Sequence, residues 1–73
     1  MAVVKIIELV GESPNSWQEA VQNAVTEAAK TVDHITGVEV LNATANVQNN
    51  RLTEFKANVK VAFLVDPNRR GGA

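Results

Sequence analysis

The sequence predicts an α+β domain with the chain order strand, helix, strand, strand. Three observations carry this. A β-branched apolar run opens the chain, apolar residues at three- and four-residue steps follow, and from Val38 onward the apolar period falls to two. One amphipathic helix against one face of a three-stranded antiparallel sheet is the arrangement these periods allow.

The first strand is expected over residues 3–10, Val-Val-Lys-Ile-Ile-Glu-Leu-Val, interrupted only by Lys5 and Glu8. The breakers Gly11, Ser13, Pro14 and Asn15 are expected to turn the chain. Ser16 followed by Glu19 reads as a capping box, in which each side chain reaches the other's free backbone N–H. The helix it opens carries Trp17, Ala20, Val21, Ala24, Val25, Ala28, Val32 and Ile35 on one side. Gln18, Gln22, Asn23, Glu27 and Lys30 lie opposite, and the small alanines allow close approach to a sheet. The pattern predicts about five turns, with Asp33 and His34 in the last and Gly37 as the stop.

The second strand starts near Val38. Val38 and Val40 share a face, but alternation resumes at Ala43, Ala45 and Val47, so a bulge is expected near Leu41 and Asn42. Gln48-Asn49-Asn50-Arg51 reads as a turn, because asparagine tolerates positive φ. The third strand puts Phe55, Ala57, Val59, Val61, Phe63 and Val65 on one face, with Glu54, Lys56, Asn58 and Lys60 on the other. The domain is expected to occupy residues 1–66, leaving 67–73 as a flexible tail. The two long strands form a hairpin and the first strand joins its edge. Both sheet edges stay open, and the second face is expected to be polar.

A chain of 73 residues is marginal as a lone domain. It has no cysteine and one histidine, which removes disulfides and thiolate metal sites as stabilising devices. Self-association is the remaining remedy, and the open edges point the same way. With 7 basic and 8 acidic side chains there is no basic stripe for nucleic acid. No apolar run approaches the ~20 residues of a membrane span, and the N-terminus does not read as a signal peptide, so a cytoplasmic location is expected. No nucleophile motif, phosphate loop or dinucleotide fingerprint is present, and catalysis is not expected.

The strings Val4-Lys5-Ile6-Ile7-Glu8-Leu9-Val10-Gly11, Ser13-Pro14-Asn15-Ser16-Trp17, Val38-Glu39-Val40 and Val59-Lys60-Val61-Ala62-Phe63 together resemble the dodecin family across residues 3–66. The resemblance implies a β-α-β-β protomer whose curved sheet wraps its helix. It also implies a hollow homododecamer that stores or shields a small ligand, with a flavin (riboflavin, FMN or FAD) as first candidate. In flavin-binding relatives a tryptophan just before the second strand stacks on the isoalloxazine ring, and a glutamine on the third strand holds its polar edge. Gly37 and Lys56 occupy those positions here. Loss of the aromatic platform removes roughly 1–3 kcal/mol of stacking, by analogy with base–aromatic contacts. Lysine offers donors but no acceptor.

The candidate ligand site is therefore Gly37, Val38, Glu39 and Lys56, placed between subunits. The alternative implied by the resemblance is a shell that has lost flavin, structural in role or holding a divalent cation such as calcium or another phosphate-bearing cofactor. For such a cation, Glu8, Glu12, Glu39 and Glu54 are the carboxylates that symmetry could gather, although no EF-hand loop is present. Trp17 reads as a packing residue beside Ala20 and Val21, and His34 as a solvated group favoured by the helix dipole.

Overall fold

The computed structural model describes residues 3–65. Their order is β1 (Val3–Ser13), α1 (Trp17–Ala28), β2 (Ile35–Gln48) and β3 (Arg51–Val65). The sheet is antiparallel with β3 in the centre, in the order β1-β3-β2, so β1 and β2 are both free edges. The expected tail beyond residue 66 lies outside the described residues.

β1 runs three residues further than its breakers suggest. Gly11, Glu12 and Ser13 stay in register with Ala57, Lys56 and Phe55. Gly11 serves packing here and not turning. A Cβ on it would lie 1.9 Å from the Ala20 carbonyl oxygen and 3.0 Å from the Ala24 Cβ, so glycine lets the helix backbone rest on the strand.

The N-cap is half of the expected box. Ser16 has extended φ and ψ, and its Oγ accepts from the Glu19 N–H at 3.0 Å. The Glu19 carboxylate does not reach back to Ser16. It accepts from the Ser13 hydroxyl and, at 2.8 Å, from the Asn15 amide, while Ser13 Oγ accepts from the Asn15 N–H at 2.9 Å. The end of β1 thus competes successfully for the carboxylate, and this network closes the β1–α1 connection.

The helix is shorter than its apolar spacing predicts. It ends at Ala28, and residues 29–32 tighten into turns whose N–H groups return to Val25, Glu27 and Ala28. Val32 and Ile35 still pack on the core, one from the turn and one from the start of β2. Their side chains continue the helical spacing although the backbone does not, which explains the overlong expectation. His34 lies in the connection, not in a last helical turn. It has a φ of 61°, and its carbonyl accepts from the Leu64 N–H at 2.9 Å. Gly37 belongs to β2 and has no positive φ, so it is not a helix stop.

The expected bulge is present, with a register shift between Val40 and Asn42. Two further shifts, at Ile35/Gly37 and Ala45/Asn46, were not legible in the spacing. In the last, β3 takes the extra residue and Glu54 adopts a φ of 47° while accepting from Asn46 at 3.0 Å. Asn49 and Asn50 have φ of 52° and 63°, the pair of left-handed residues a two-residue hairpin turn requires.

The core lies between α1 and the inner faces of β1 and β3. Ala20, Ala24 and Ala28 meet Ala57, Val59 and Val61, with Ile7, Leu9, Val21 and Val25 around them. Among the described residues no fully buried side chain is larger than valine. α1 barely reaches β2, leaving Val38 and Val40 exposed on the inner face of that strand. At the helix start, Trp17 meets Phe55 edge to face at 5.0 Å and donates from Nε1 to the Thr44 carbonyl at 2.8 Å. Beyond this contact the β2–β3 hairpin continues as a bare arm of residues 46–53, within overall extents of 56 × 19 × 13 Å.

Candidate functional site

Paired residues of a sheet share a face, so the register places each candidate residue. Val38 pairs with the buried Val61, which puts it on the inner, helix-bearing face. Gly37 and Glu39 pair with Ala62 and Lys60 on the outer face. Lys56 pairs with Thr44 and Glu12 on that same outer face. Three of the four residues therefore share a surface, and Val38 lines the opposite one.

The four do not meet within one chain. Following β3 from Ala62, beside Gly37, to Lys56 covers roughly 20 Å of strand. A lysine side chain does not span that distance, so any site that uses both residues draws them from different copies. At Gly37 a built Cβ meets nothing within 4 Å, and the surface above it is open. The outer face reads in cross-strand rows: Ile6–Ala62–Gly37, then Glu8–Lys60–Glu39, then Val10–Asn58–Asn42, then Glu12–Lys56–Thr44. In the second row Lys60 stands between two carboxylates, an arrangement that favours cross-strand charge pairing.

This face is not uniformly polar, contrary to the alternation on β3. β1 contributes Val4, Ile6 and Val10, of which Ile6 is 58% and Val10 60% exposed. β1 carries apolar side chains on both faces, so its period did not reveal which would be covered. The oxygen of Asn58, in the row beside Val10, is buried with no hydrogen-bond partner.

Cation ligands are also dispersed. Among the described residues no three acidic or histidine side chains come close enough to hold a metal ion. Glu12 and Glu54 line an open depression of about 310 Å3 with Ser13 and Pro14, while Glu8 and Glu39 lie on either side of Lys60. Glu19 is held below the ordinary carboxylate range, first by the Ser13 hydroxyl and then by the Asn15 amide; it is committed to the helix cap. Among the described residues no helix is long and apolar enough to cross a membrane.

Comparison with known proteins agrees with this chain path. The dodecin family model matches residues 3–66. The calcium dodecin of Mycobacterium tuberculosis is 31% identical over 67 residues, which is 92% of this chain and 94% of that protein. The crystal structure of that calcium-chelating antigen superposes with a TM-score of 0.74, covering 89% of this chain and 93% of its own. A variant of Thermus thermophilus dodecin gives 0.84 at 29% identity, over 90% and 98% of the two chains. Dodecin from Streptomyces coelicolor gives 0.81 at 26% identity, over 89% and 93%. From the small alanines under the helix to the bulged hairpin, the strand order and the matched residues lead to one assignment: the chain belongs to the dodecin family.

Proposed function

We propose that this chain works as a homo-oligomer, twelve copies in the manner of its family, that binds and stores a small ligand between subunits without catalysing its conversion. The separation of Gly37 from Lys56 carries this reading, because a single copy holds only half of the site. The uncovered apolar side chains on both faces of the sheet support it, since monomers seldom leave such surface to water. A flavin is the ligand to test first. The open surface at Gly37 admits a flat ring, and Lys56 supplies a cation for a phosphate or an anionic ring.

The second reading is a shell that holds a divalent cation in place of flavin. The 31% identity to a calcium dodecin favours it, as does the absence of the stacking tryptophan. Carboxylates dispersed in one copy would have to be gathered by symmetry. A native mass spectrum of the protein as purified tests both readings. A twelve-subunit mass with a flavin increment supports the first, and the same mass with calcium increments supports the second. A monomer at micromolar concentration refutes the assembly and both ligand sites with it.

A further inference from the structure

We draw no further inference here: the strongest candidate, the apolar strip of Val38, Val40, Val47 and Leu52 that α1 leaves bare on the inner face of the β2–β3 hairpin, carries none, because nothing in the structure shows what covers it.

Discussion

Gly11→Ala is the sharpest probe of how this fold is held. The new methyl group would sit 1.9 Å from the Ala20 carbonyl oxygen, 2.9 Å from its carbon and 3.0 Å from the Ala24 Cβ. The obstacle is helix backbone, which no rotamer change relieves, so the N-terminal half of α1 must lift off β1. Overpacking of this kind costs about 1–3 kcal/mol and sometimes more. Lifting the helix also loosens the alanine contacts of the core, and about 3 kcal/mol is a working value. The opposing effect, a stiffer unfolded chain, stabilises by only about 0.4–1 kcal/mol. The clash therefore wins. For 73 residues the whole stability is about 4–11 kcal/mol, so the loss is a large part of it. At about 4–8 °C per kcal/mol, thermal melting followed by circular dichroism at fixed protein concentration should fall by about 10–20 °C. A melting temperature within two or three degrees of wild type would refute the close approach of strand and helix.

Gly37→Trp restores an aromatic platform where an added side chain meets no obstacle. Riboflavin affinity, read from quenching of flavin fluorescence, should rise about 5- to 150-fold, the equivalent of 1–3 kcal/mol of stacking. An unchanged affinity would show that the ligand site lies elsewhere. Trp17→Phe keeps the ring contact with Phe55 but removes the donor to the Thr44 carbonyl, and should cost about 0.5–1.5 kcal/mol in chemical denaturation. Glu19 is held below its ordinary range when folded, so its contribution is complete above the unfolded carboxylate value and is lost as pH falls through the folded one. Wild type should therefore lose stability across that acidic window by more than Glu19→Gln does. Parallel melting curves for the two proteins would remove the cap network from the account.

Legibility from sequence followed the range of the forces involved. The capping serine, the paired asparagines of the hairpin and the bulge at Leu41 are written in a few adjacent residues, and each was readable. The helix end was not, because Val32 and Ile35 keep helical spacing while packing from a turn and a strand. Gly11 looked like a breaker, since nothing local announces that a helix backbone will lie on it. Glu19 looked like half of a reciprocal cap, but its carboxylate is claimed by Ser13 across the turn. The candidate site divides in the same way. Resemblance pointed to Gly37, Val38, Glu39 and Lys56, but only the register shows that Val38 faces inward and that Gly37 and Lys56 stand far apart.

By itself, then, the sequence determined the α+β class and the order of the elements. Period, caps and turn residues act over a few positions, so adjacent residues suffice to write them. Only the tertiary structure decided that β3 is central, that the helix covers β1 and β3 but not β2, and that Ile6 and Val10 face outward. Those outcomes depend on pairings between distant segments. A strand such as β1, apolar on both faces, carries no local mark of which face will be buried.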